Sequence, residues 1–173
     1  MDEDHAGAGP LMPVDGRGFG DLLTPILDPA FRLAITMLND RSAAEDAVQE
    51  AALKAWRGFG HFRRGAELRP WFLSIVANEC RSARRTRWWS VIRVPEVWPA
   101  RAASEASAEL MDLDTALDRL PPRHLLPLVL YYHLDLPIDE VGRVLGCSSG
   151  AARQRIHRAL VALRPGMAAE GNS

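Results

Sequence analysis

Residues 137–164 read PIDEVGRVLGCSSGAARQRIHRALVALR. Ile138, Val141, Val144 and Leu145 recur at helical spacing, and the small residues Gly146, Cys147, Ser148, Ser149 and Gly150 then interrupt the pattern. A second helix resumes at once. Its apolar stripe is Ile156, Leu160 and Leu163, so Arg153, Gln154 and His157 point away from the core. The spacing predicts a helix-turn-helix, the geometry that lays its second helix in the major groove. There Arg and Gln side chains read base edges and further Arg residues hold phosphates. Residues 141–164 contain five Arg and no acid. A solvated hairpin with a basic face would share this local pattern, so the rest of the chain has to decide.

The chain has 173 residues, 47% hydrophobic and 25% charged, enough for one large domain or two small ones with a real core. No apolar run reaches 18 residues and the start is not charged-then-apolar, which predicts neither a membrane span nor a secretory signal and makes the cytoplasm the expected compartment. Cys80 and Cys147 lie far apart, without Cys or His neighbours at ligand spacing. They read as small core or turn residues, not as a disulfide framework or a zinc site. The five His are scattered and no glycine-rich phosphate loop appears. Neither an enzyme, a metal site, a cofactor nor a small-molecule substrate is therefore expected.

The net charge of -1 hides a strong segregation. Residues 1–50 hold ten acids and three Arg, whereas residues 61–93 hold eight Arg and two Glu. Residues 94–122 return to six acids and two Arg before the basic final pair. Two basic blocks with an acidic spacer suit a protein that touches one polyanion at two places, since each neutralised phosphate releases counterions.

Residues 1–18, rich in Gly, Pro and acids, read as a disordered tail. Leu22, Ile26, Phe31, Ala34, Ile35 and Leu38 predict a helix that Pro25 or Pro29 would interrupt, ending near Asn39 and Asp40. Ser42 and Glu45 form a candidate capping box for a second helix to about Arg57. After a loop over 58–69, Pro70 opens a third helix ending in Arg81, Arg84, Arg85 and Arg87. Beyond a Pro- and Ala-rich linker, Leu113, Leu117 and Leu120 mark one helix and Leu125 to Leu134 another, in which Pro127 predicts a late start or a kink. There is no alternating strand pattern and no internal repeat. The expected fold is all-α, with two small helical domains joined by a flexible linker and a helix-turn-helix in the second. The boundaries are a tail over 1–18, a first domain over 19–88, a linker over 89–107, a second domain over 108–165 and a tail over 166–173.

Ala44-Glu45-Asp46-Ala47-Val48-Gln49-Glu50, Trp56, Trp71 through Asn78 and the Arg run resemble the second conserved region of extracytoplasmic-function (ECF) sigma factors. Leu120-Pro121-Pro122-Arg123, Asp139-Glu140-Val141, Leu145-Gly146 and Ser149-Gly150 with the following Arg residues resemble their fourth region. The resemblance spans about residues 22–164 and implies a dissociable subunit of bacterial RNA polymerase. On that resemblance Asp46, Gln49 and Glu50 dock on core RNA polymerase. Asn78, Arg81, Arg84 and Arg85 lie along the upstream edge of the minus-ten element, and the loop with Phe59, His61, Phe62, Arg63 and Arg64 holds an extruded base. Phe59 and Phe62 read equally well as core anchors of that loop, and Trp71, heading an apolar stripe, as core. Ser149, Gly150, Ala151, Arg153, Gln154, Arg155, His157 and Arg158 meet promoter DNA at the minus-thirty-five element. An anti-sigma factor is implied as a further partner.

The chain departs from the family pattern at Ala151-Ala152, where many members have Thr-Val, at Leu160, and at Gly142, which replaces the usual Ala. Trp88 and Trp89 have no assigned role. Two other classes compete: a sigma mimic that only titrates an anti-sigma factor, and a free-standing helix-turn-helix regulator that binds an operator as a dimer. The two basic blocks speak against the mimic.

Overall fold

The computed structural model describes residues 16–62, 66–91 and 108–168, and among these every regular element is helical. The first half is three helices, α1 (Gly16–Leu38), α2 (Arg41–Gly58) and α3 (Leu68–Val91), with a 3-10 turn at Phe59–His61. Helix α1 buries Leu23, Ile26, Ala30, Leu33 and Met37 at helical spacing. Helix α2 buries only alanines, Ala44, Ala47, Ala51 and Ala55, so its backbone comes close to its neighbours. Phe72, Leu73, Val76, Ala77 and Cys80 of α3 fill the space between.

Several local expectations are corrected. Helix α1 starts at Gly16, inside the stretch read as tail, and runs through Pro25 and Pro29 without interruption. Each proline removes the donor for the carbonyl four residues earlier, on Asp21 and Pro25. Both residues are exposed, so water can take over. The cap of α2 is Asp40 and not Ser42: the Asp40 carboxylate accepts the Ala43 N–H at 2.9 Å. Asn39, at φ 51°, turns the chain there, a conformation its short polar side chain tolerates.

The second half comprises α4 (Ala108–Arg119), α5 (Pro122–Leu128), α6 (Ile138–Val144) and α7 (Ser149–Ala168). Pro127 neither delays α5 nor ends it. It is buried in the sixth position, and the irregularity follows it, with Val129–His133 wound as a π-turn. The N–H of Leu134 closes that turn on the Val129 carbonyl at 2.9 Å. A proline misfit is thus absorbed by widening the next turn.

Between α6 and α7 the chain reverses at Gly146, φ 63°, and Ser148 Oγ accepts the Ala151 N–H at 3.2 Å as the cap of α7. Gly142 explains its own departure from the family pattern. A Cβ there would stand 2.8 Å from the Cys147 carbonyl oxygen, which also accepts no displacement from a flexible side chain because it is backbone. Gly142→Ala is expected to cost about 1–3 kcal/mol through overpacking, read as a lowered urea midpoint with an unchanged slope.

Cys80 is fully buried, and burial pushes its thiol up to about 12; Cys147 is half-buried in the turn. A thiol reagent at pH 8 is therefore expected to titrate one cysteine in the native protein and two after denaturation.

The halves meet across α3 and α6. Arg69 of α3 grips Glu140 of α6 with both ends of its fork, Nε to Oε1 at 2.6 Å and Nη2 to Oε2 at 3.0 Å, and Glu140 is buried. Arg143 adds a 2.9 Å pair with Glu67 and a 3.1 Å pair with Asp139. Arg32 donates to the His133 carbonyl, and Asn39 to Asp118 at 3.1 Å.

Candidate nucleic-acid interface

Helix α7 sorts its side chains cleanly. Ala152, Ile156, Ala159 and Leu163 are buried, while Arg153, Gln154, Arg155, His157 and Arg158 are exposed. At the head of the helix Gly150 is exposed and Ser149 and Ala151 are half-buried. Arg153 and His157 edge a shallow hollow of ≈ 330 Å3 beside Tyr131 and Tyr132. Arg155 is turned back, its Nη1 donating to the Leu145 carbonyl at 3.1 Å. One helix thus presents Arg and Gln at its wet face and N-terminal end, the combination that direct readout uses.

On α3, Asn78, Arg81 and Arg85 are exposed, and Arg81 Nη2 donates to Asn78 Oδ1 at 2.7 Å. Arg84 departs from the expected row along the duplex. It is half-buried, with Nη1 donating to the Met37 carbonyl at 3.2 Å. Burial holds its guanidinium below the ordinary arginine range, against the opposing pull of Asp118. Arg84 therefore ties α3 to the end of α1.

The loop before α3 is anchored by a run of rings. Phe59 packs edge-on against Phe19 at 5.0 Å, Phe62 stacks on Phe59 at 5.8 Å and 6°, and Trp71 meets Phe62 at 4.8 Å. Trp56 closes the far end against Phe19 at 5.2 Å. Phe59 is buried, whereas Phe62 is half-buried and His61 is exposed beside it. Phe59 is an anchor, as one of the two readings of it had it. Arg63 and Arg64 lie outside the described residues, as do the side chains of Trp88 and Trp89. Phe19 and Trp56 were not singled out for this cluster. Their signal was the recurrence of aromatics at 19, 56, 59, 62 and 71 around one loop.

Asp46, Gln49 and Glu50 stand together on the exposed side of α2, opposite the buried alanines. Asp40, Asp46, Glu50 and Glu79 line a groove of ≈ 520 Å3 between α2 and α3. Lys54 bridges it, 2.7 Å from Glu79 and 3.6 Å from Glu50, and the Glu79 hydrogen bond raises the Lys54 ammonium above its ordinary range. The groove is otherwise acidic, fitted to a partner that brings cations.

Residues 22–90 match the Sigma-70 region 2 family and residues 116–165 match Sigma-70, region 4. The chain is 33% identical over 138 residues to the RNA polymerase sigma factor CarQ of Myxococcus xanthus, covering 74% of this chain and 76% of that protein. With the ECF RNA polymerase sigma factor EcfG of Rhodopseudomonas palustris it shares 28% over 153 residues, 86% of this chain and 83% of the relative. The chain belongs to the ECF sigma factors. It spans 40% of a longer protein, the probable RNA polymerase sigma factor RfaY of Xanthomonas campestris. The fold of this sigma factor superposes with a TM-score of 0.68 on the sigma factor RpoE solved with the anti-sigma factor NepR from Bartonella quintana. Identity there is 25%, over 89% of this chain and 99% of the other. Region 2 thus corresponds to the α1–α3 half and region 4 to the helix-turn-helix half. None of the sigma factor's helices, among the described residues, is long and apolar enough to cross a membrane.

Proposed function

We propose that this sigma factor directs core RNA polymerase to specific promoters and begins strand opening in the cytoplasm, under the control of an anti-sigma factor. It has no catalytic activity, metal or cofactor of its own. Residues 19–88, extended to Gly16 by the observed start of α1, serve as the core-binding and minus-ten domain, and residues 108–165 as the minus-thirty-five domain. Asp46, Gln49 and Glu50 dock on core polymerase. Asn78, Arg81 and Arg85 follow the backbone of the minus-ten duplex, with Arg84 positioning their helix. His61, Phe62, Arg63 and Arg64 hold the extruded base. Ser149, Gly150, Ala151, Arg153, Gln154, Arg155, His157 and Arg158 take the upstream element. The observation that carries this reading is the pairing of an acidic face with two arginine faces on helices of separate halves, in the order of regions 2 and 4. Two independent DNA contacts plus one protein contact are what promoter selection needs. A mimic needs no exposed Arg on both.

Transcription in vitro with core polymerase on a promoter library tests it. Specific transcripts are expected only when the chain and core are both present, and the chain alone is expected to leave no footprint. A dyad footprint without polymerase would return the free-standing regulator instead. Within the same assay, Arg153→Ala is expected to cost about 1–3 kcal/mol and to change the preferred upstream sequence. Uniform weakening on every sequence means that Arg153 contacts phosphate alone.

A further inference from the structure

Arg81 of α3, Arg123 and His124 of α5, and Arg155 and Arg158 of α7 line one cleft of ≈ 380 Å3 between the two halves. None of these four arginines has a carboxylate partner among the described residues. Three are nevertheless held in place by neutral acceptors. Arg81 donates to Ala77 O and Asn78 Oδ1, Arg123 to His124 Nε2 at 3.3 Å, and Arg155 to Leu145 O. A guanidinium carries five N–H donors, so each keeps most of its donors free.

The two halves are drawn together by the Arg69–Glu140 and Arg143–Glu67 pairs. The arginines of the cleft oppose that closure, because like charges are brought together with nothing between them. A duplex cannot fill the gap: its major groove alone is about 12 Å wide and about 8.5 Å deep. A compact anion of several charges can, and it would meet forked donors preset for phosphate oxygens.

We propose that this cleft is a binding site for an oligophosphate anion, which bridges the two halves and holds the sigma factor closed. The ligand class is a linear chain of phosphates, free or carried on a nucleoside. Bound there, it occupies Arg81, Arg155 and Arg158 and so competes with promoter DNA. That consequence rests on the promoter-binding reading above, whereas the site itself is tested without DNA or polymerase, so the two fail separately.

Calorimetric titration of the full chain with inorganic tripolyphosphate tests the site, with sodium chloride at matched ionic strength and citrate as comparisons. Saturable binding of one tripolyphosphate per chain is expected, together with a smaller radius of gyration by X-ray scattering. Arg123→Ala, which removes a cleft arginine from outside the recognition helix, is expected to weaken binding about tenfold or more. Arg153→Ala, which removes the same charge from α7 outside the cleft, is expected to leave it within about twofold. A nucleoside triphosphate run in parallel separates the sources. Equal affinity identifies the phosphate chain as the whole ligand, and tighter binding adds a contribution from the nucleoside. Binding that citrate matches, that does not saturate, or that falls equally in Arg123→Ala and Arg153→Ala overturns the proposal.

Discussion

Reversing Asp46 and Glu50 to Lys together is expected to weaken binding to core RNA polymerase by about a hundredfold or more. Both side chains are exposed on α2 and border a groove whose other charged walls are Asp40 and Glu79. A cationic partner surface then meets two positive charges where it met two negative ones, and such juxtapositions cost several kcal/mol. The helix itself loses little. Glu50→Lys replaces a 3.6 Å pair with Lys54 by a like-charge pair one turn away, worth about 0.2–0.5 kcal/mol. The buried alanines on the other side of α2 are untouched. Circular dichroism and the melting temperature should therefore stay close to the parent's while co-purification with core is lost. If the double variant binds core as the parent does, the docking face lies elsewhere.

Loss of strand opening is the second large effect, and the ring cluster dictates how to look for it. Replacing His61, Arg63 and Arg64 by Ala, with Phe62 retained, is expected to abolish permanganate-reactive thymines near the start site. Unstacking a base costs a few kcal/mol, which contacts from this loop have to offset. Phe62 is kept because its ring is stacked between Phe59 and Trp71. Phe62→Ala removes about 3–5 kcal/mol of packing if the site behaves like a core aromatic, and loss of function would then be uninformative. Core binding by the triple variant should persist, and a template with a pre-melted bubble should restore most transcription. Parental melting of linear promoter DNA by the triple variant would remove the loop from the mechanism.

The helix-turn-helix was legible because its information is local. Apolar spacing, a small-residue turn and a run of Arg all lie within residues 137–164, and the buried and exposed sets of α7 follow that spacing. The misreadings were also local, but they came from competition between acceptable signals. Asp40 and Ser42 both cap helices well, and the turn at Asn39 decides for Asp40 by placing its carboxylate over the first free N–H groups. Prolines at 25 and 29 break an isolated helix pattern, yet α1 runs on because its opposite side buries seven hydrophobic residues from Leu23 to Leu38. Arg84 was legible as part of a basic run but not as a tether, since the Met37 carbonyl it meets is 47 positions away. The Arg69–Glu140 pair, with a separation of 71, left no trace in the periodicity at all. Contacts between elements have no sequence period to betray them.

The π-turn at Val129–His133 amounts to one residue more than an α-helix of the same rise would hold. Its hydrogen bonds span five residues where a helix spans four, so the segment has the phase of a one-residue insertion. Deleting any single residue there would let α5 continue as an ordinary helix. Everything downstream would then be rotated by about 100°, one residue's share of a 3.6-residue turn. Leu136, now buried, would swing toward solvent, and Tyr131 and Tyr132, now exposed, would change sides. The azimuth at which α6 and α7 are presented is therefore set by a register of one residue in a helix that never approaches the turn between them.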